Sequence, residues 1–145
     1  MERKYIAYGS NLNVGQMNYR CPDAQVLCTG VIKDYRLLFK GSYSGNYLTI
    51  EPAEGYEVPV VIWTVSEQDE LNLDHYEGFP TFYRKETVPV ETAAGTVEDA
   101  FAYIMNGHVC GAPTRYYLNT CLTGYRSFGF DPAILEQAVA ESIIK

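Results

Sequence analysis

Between Gln25 and Val65 the chain holds QVLCTGVIKDYRLLFKG, YLTIE and VPVVIWTV, runs in which β-branched and aromatic residues alternate or cluster. Gly30 and Lys33-Asp34 interrupt the first run. The connecting GSYSGN and EPAEGYE have the Gly, Ser and Pro content of exposed loops. Three or four successive strands, with no helix between them, are the expected outcome. A further strand is expected at Tyr5 to Tyr8, and Asn13 to Arg20 has room for one or two helical turns before the Cys21-Pro22-Asp23 breaker.

Downstream, Ser66 precedes an acidic residue at Asp69 and Gly78 closes the segment, which predicts a helix from Glu67 to about Tyr76. FYRKETVPVET, the Ala93-Ala94-Gly95 turn and TVEDAFAYIM read as a β-hairpin, because both flanks alternate around a short Gly-containing connection. Two helices follow. Thr114 caps the first, with Tyr117, Leu118, Cys121, Leu122 and Tyr125 at helical spacings. Asp131-Pro132 opens the second, with Ile134, Leu135, Ala138, Val139 and Ile143 on one face. Strands in runs, with helices between and after them, favour an α+β class over a doubly wound sheet: a small mixed β-barrel with flanking helices. No linker divides residues 1–145, so one domain is expected.

The whole-chain totals remove several classes of function. Eighteen acidic residues against eleven basic ones give a formal charge of −7, which repels phosphate backbones and anionic lipid heads. Neither nucleic acid nor a membrane is an expected partner. MERKYIAYGS has no apolar core of a secretory signal, and no apolar stretch approaches about 18 residues. The expected compartment is the cytoplasm. Cys21, Cys28, Cys110 and Cys121 lack CxxC spacing and read as reduced core thiols. With only His75 and His108 to join them, neither at ligand spacing, no metal site is expected. Thirteen tyrosines are unusual, and a few are candidates for a polar pocket.

Two places carry chemical interest. In YIAYGSNL a strand stops abruptly at Gly9-Ser10-Asn11, a composition that lets successive backbone N–H groups turn to one side and bind an anion or a polarised carbonyl. A plain strand-end turn is the alternative. No Walker A or GxGxxG pattern accompanies it. The second place is Glu77, in the last turn of its predicted helix, where the negative end of the macrodipole and Tyr76, Phe79, Phe82 and Tyr83 both favour the protonated acid. Such a carboxyl suits general acid–base work, whereas a solvated Glu before a capping Gly has no role. His75 is expected to point away on another helix face. Ser10 as a hydrolase nucleophile lacks a GxSxG elbow and an acidic orienter for either histidine.

Taken together, YIAYGSNLN, RCPDA, DYRLLF with its Gly/Ser-rich loop, LDHYEGFP, FYRKETVPV and the late PTRYYL segment resemble the γ-glutamylcyclotransferase-like family in order and spacing over nearly the whole chain. The resemblance implies a small mixed β-barrel whose Tyr8-Gly9-Ser10-Asn11-Leu12 loop holds the glutamyl part of a small γ-glutamyl substrate. It implies Glu77 as catalytic acid/base, Tyr83 as a pocket tyrosine, and Tyr103 and Tyr117 as further ones, with Tyr116 an adjacent rival for the last role. Thr114 stands where the family more often has Ser. The implied reaction is cyclisation to 5-oxoproline with release of an amine, with neither metal nor organic cofactor. Choice of amine is assigned to the loops Gly41 to Gly45 and Cys110 to Arg115, and leaving amine and oligomeric state are left open. The rival is a non-catalytic module that keeps the pocket for a small anion or a partner protein.

Overall fold

The computed structural model describes residues 2–42 and 45–143. Strand β1 (Arg3–Ala7) runs into a 3-10 turn (Ser10–Leu12) and helix α1 (Val14–Arg20), whose N-cap Asn13 accepts from Gln16 N at 3.0 Å. Two long strands follow, β2 (Gln25–Ser42) and β3 (Gly45–Val65), then α2 (Glu67–Glu77). The rest comprises β4 (Tyr83–Thr87), β5 (Val90–Thr92), β6 (Gly95–Val97), β7 (Ala100–Met105), β8 (Val109–Cys110), α3 (Arg115–Phe128) and α4 (Ala133–Ser142).

The strands form one mixed sheet in the order β4-β7-β1-β3-β2-β5-β6, with β8 on β2, curled into a half-barrel with the helices around it. The β1–β7 pair is parallel, with Tyr5 opposite Phe101, and β1–β3 is antiparallel, with Tyr5 opposite Trp63. Central position explains the apolar run of β1: Tyr5, Ile6 and Ala7 are all buried because the strand is paired on both sides and covered on both faces.

The Gln25–Val65 tract differs from its sequence reading. It forms two continuous strands, not three or four, and EPAEGYE lies within β3 rather than in a loop. Its Gly and Pro content belongs to the projecting part of a twisted hairpin. There the β2–β3 register shifts between Lys33 and Tyr35, Asp34 adopts φ 62°, and its Oδ1 accepts from Gly55 N at 3.0 Å. Gly30 does not interrupt β2 either. A Cβ there would lie 2.5 Å from Val90 Cγ1, so glycine is what lets β5 pack against the strand. The predicted hairpin around residues 93–95 is split in two tiers: β5 and β6 pair with each other, while β4 pairs with β7, Tyr83 opposite Met105. Tyr43 and Ser44 of the expected specificity loop lie outside the described residues.

Helix α2 begins with the capping box anticipated from Ser66 and Asp69, whose reciprocal bonds measure 3.1 and 3.2 Å, and ends at Gly78 with φ 68°. Thr114 caps α3 by accepting from Tyr117 N at 3.2 Å. Helix α3 packs on the 3-10 turn so closely that a Cβ on Gly124 would come within 2.6 Å of Leu12. Helix α4 packs on β2, where Ser142 Oγ accepts from Phe39 N at 2.8 Å. Ile143 lies beyond the end of α4 and is exposed, unlike Leu135 and Ala138. Of the four cysteines, Cys21 and Cys121 are buried as expected of core thiols, but Cys28 is only partly buried and Cys110 is exposed on the edge strand β8.

Candidate active site

A cavity of about 410 Å³ opens where the end of β1 meets the C-terminal turn of α2. Tyr8, Gly9, Ser10, Asn11, Glu77, Tyr83, Tyr103 and Tyr117 all line it, brought together from β1, α2, β4, β7 and α3. Leu12 does not. Its side chain is fully buried under α3 and its N–H donates to Gly9 O at 3.0 Å, closing the 3-10 turn. Asn13 N is spent likewise on Ser10 O at 2.9 Å. Among the described residues the N–H groups of Ser10 and Asn11 have no acceptor and are the orphan donors of this short turn.

Gly9 sits where space is tight. A Cβ on it would lie 3.3 Å from the Tyr117 hydroxyl and 3.4 Å from Leu48 Cβ, so a side chain would intrude on the cavity wall. Tyr117 rather than Tyr116 faces this space; Tyr116 is 77% exposed. Helical geometry explains the choice, since adjacent residues point about 100° apart and Tyr117 shares its face with buried Cys121.

The tyrosines hold one another and the backbone. Tyr8 donates to Tyr103 O at 2.5 Å, Tyr83 donates to Leu48 O at 2.8 Å, and Tyr117 Oη accepts from Leu48 N at 3.1 Å. Tyr103 donates to Asp74 Oδ1 at 2.6 Å, and Lys85 Nζ bridges Asp74 and Glu70 at 2.9 and 2.7 Å. Helix α2 is thereby tied to β4 and β7 one turn before Glu77. Burial pushes the Tyr8, Tyr83, Tyr103 and Tyr117 hydroxyls up, so they remain neutral where a carboxyl titrates.

Glu77 is half-buried in the cavity wall, and no other described residue hydrogen-bonds or ion-pairs its carboxyl. Burial pushes its pKa up to about 8, opposed in part by the Arg20 guanidinium. The rise anticipated from the sequence thus has desolvation as its main cause. The same residue at the first turn of a helix, facing solvent, would titrate as an ordinary carboxylate.

Sequence reasoning missed part of the wall. Tyr5, Tyr47, Leu48 and Gly78 line the cavity, as does His75, which is exposed at its rim rather than turned away from it; of the four aromatic residues expected around Glu77, Tyr76, Phe82 and Tyr83 line the cavity and Phe79 does not. Among the described residues no group of three or more His, Cys, Asp or Glu lies together as a metal site requires. No helix among them is long and apolar enough to cross a membrane.

Residues 5–120 match the family model described as "Gamma-glutamyl cyclotransferase, AIG2-like". This chain belongs to that family. The matched span contains the strand-end turn, Glu77 and every cavity-lining tyrosine. Curated relatives include the Homo sapiens "Gamma-glutamylcyclotransferase", 29% identical over 133 residues, covering 86% of this chain and 71% of that protein. The Mus musculus protein of the same name is 28% identical over 144 residues, with 94% and 77% covered. A solved "Gamma-glutamyl cyclotransferase" superposes with a TM-score of 0.85 at 26% identity, covering 95% of this chain and 86% of that one. The half-barrel is the fold of these cyclotransferases.

Proposed function

We propose that this protein is a γ-glutamylcyclotransferase, in which Glu77 moves protons while the turn at Gly9 to Asn11 binds the glutamyl group. The observation that carries the reading is one carboxyl with a pKa near 8 in the same cavity as a strand-end turn with orphan N–H donors. The family match and the names of the curated relatives support it.

A γ-glutamyl amide carries its own nucleophile, so the reaction needs positioning more than a second substrate. The glutamyl carboxylate and the γ-carbonyl oxygen face the N–H groups of Ser10 and Asn11. The α-ammonium lies among tyrosine oxygens whose protons are already donated inward by Tyr8 and Tyr83, leaving lone pairs for it. Glu77, as carboxylate, takes a proton from the α-ammonium, and the freed amine attacks the γ-carbon. The new lactam C–N bond forms, the amide C–N bond breaks as the protonated Glu77 delivers its proton to the departing nitrogen, and the regenerated carboxylate carries the second proton of the α-nitrogen to the released amine. Two protons leave the α-nitrogen and two end on the released amine, so no water or cofactor enters the balance. The products are 5-oxoproline and an ammonium ion in a cytoplasmic setting.

Mass spectrometry on a panel of γ-glutamyl amines, amino acids and peptides tests this. At least one member yields 5-oxoproline with the wild type, and Glu77→Gln slows the conversion by about 100-fold or more while remaining folded. Release of free glutamate instead of 5-oxoproline refutes it.

A further inference from the structure

Arg20 closes α1 within RCPDA, a motif to which the cyclisation chemistry gives no part. Its guanidinium has three contacts in two directions. Toward the start of the chain it donates to Asn11 Oδ1, and to Gln16 Oε1 at 2.6 Å. Toward α2 its Cζ lies 3.6 Å from the centroid of the Tyr76 ring, an arrangement of planar cation on aromatic face. Its carbonyl also accepts from Asn72 Nδ2 at 2.9 Å, fixing the end of α1 against α2.

Both objects it touches belong to the site. Asn11 is 3% exposed and donates through Nδ2 to the cavity-lining Tyr5 hydroxyl at 2.8 Å. Arg20 holding Oδ1 and Tyr5 holding Nδ2 leave that amide a single orientation, and with it the backbone of the donor turn. Tyr76 immediately precedes Glu77, and its hydroxyl lies 3.3 Å from Ser10 Oγ. Among the described residues Arg20 has no carboxylate within ion-pair distance, so its charge is not cancelled locally.

We propose that Arg20 is a positioning residue for the cyclisation, clamping the Ser10–Asn11 donor turn to the Tyr76–Glu77 end of α2. The inference rests on the proposed cyclotransferase activity. Acid and donors lie 66 residues apart along the chain, and a displacement of about 1 Å between such groups costs roughly 100-fold in rate. Among the described residues Arg20 is also the one cation whose field is felt at Glu77. Among the described residues the other titratable groups around that carboxyl are Tyr5 of β1 and Tyr8 just beyond it, Tyr47 of β3, His75 and Tyr76 of α2, and Tyr83, Tyr103 and Tyr117 of β4, β7 and α3.

The test compares wild type, Arg20→Met and Arg20→Lys on the γ-glutamyl compound the wild type converts best, with kcat and KM followed from about pH 6 to 10. Arg20→Met is expected to lower kcat roughly 10- to 100-fold with a smaller change in KM, and to move the rising limb of the pH profile to higher pH. Arg20→Lys keeps the charge but not the planar stack, so its limb stays near that of the wild type while kcat is only partly restored. Wild-type kcat and limb in either folded variant overturns the proposal. So does a loss of activity that merely follows the unfolded fraction seen by circular dichroism. Titration of the Glu77 carboxyl by 13C NMR in wild type and Arg20→Lys or Arg20→Met needs no turnover: an unmoved carboxyl in the Met variant counts against the inference even if no substrate is converted. Absence of turnover by the wild type on the whole panel counts against the activity itself.

Discussion

The Ser10 hydroxyl lies 3.3 Å from the Tyr76 hydroxyl, so the turn that ends β1 touches the last turn of α2. That contact puts the Ser10–Asn11 turn and a desolvated carboxyl in one cavity wall, with the tyrosine cluster forming much of the remainder.

The first consequence is chemical. Glu77→Gln keeps shape and hydrogen-bonding capacity but cannot exchange protons, so kcat falls by about 100- to 10,000-fold, the range for a positioned acid/base. Circular dichroism and a melting curve check that the variant is folded.

The second concerns activity against pH. The proton leaving the α-ammonium needs Glu77 as carboxylate, so kcat/KM rises with pH through about 8 and the enzyme is less active near pH 6. A profile flat from pH 6 to 9, measured with a neutral reporter of product, contradicts this role for Glu77.

The third is the stability counterpart. Glu77 in the folded chain has a pKa of about 8, against roughly 4.3 when unfolded. Between those values the folded state holds a proton that the unfolded state releases, so stability falls as pH rises through the window and levels off above it. Glu77→Gln lacks this loss. Its advantage over wild type is absent near pH 4 and grows to about 1–2 kcal/mol by pH 8, after allowance for partial exposure of the group to solvent. Urea denaturation at a series of pH values reads the difference.

Much of this was legible locally. Ser66 with Asp69, Gly78 and Thr114 mark helix ends through bonds made within a few residues, and each stands where the sequence placed it. The Tyr8–Asn11 stop and Glu77 were visible because their residue types are unusual at a strand end and a helix end. EPAEGYE was misread because its strand conformation comes from pairing with β2, a non-local ladder that overrides loop-like composition. Leu12 was placed in the binding loop by the family resemblance, but closing the 3-10 turn consumes its N–H and turns its side chain under α3. Tyr5 and Tyr47 carry no local mark that separates a cavity tyrosine from a core one. Arg20 acquires its partners only when α1 packs on α2.

A fourth expectation follows from the tight seat of α3. Gly124→Ala places a methyl group within 2.6 Å of Leu12 and 2.8 Å of Asn13 N, backbone that cannot yield without shifting the 3-10 turn. Destabilisation by about 1–3 kcal/mol is expected, with a rise in KM from the disturbed donor turn. Thermal melting together with steady-state kinetics measures both.

A fifth concerns the tyrosine ties. Tyr83→Phe removes the donor to the Leu48 carbonyl and leaves that acceptor unpaired beside the cavity, at a cost of about 1–3 kcal/mol in urea unfolding.

The most direct measurement is the formation of 5-oxoproline from a panel of γ-glutamyl compounds, quantified by mass spectrometry for wild type and Glu77→Gln side by side. Conversion of at least one compound by the wild type, with equimolar release of its amine, and conversion slowed by about 100-fold or more in the folded variant, is the expected result. A Glu77→Gln protein that cyclises as fast as the wild type contradicts the role of this carboxyl, and release of glutamate in place of the lactam contradicts the reaction itself.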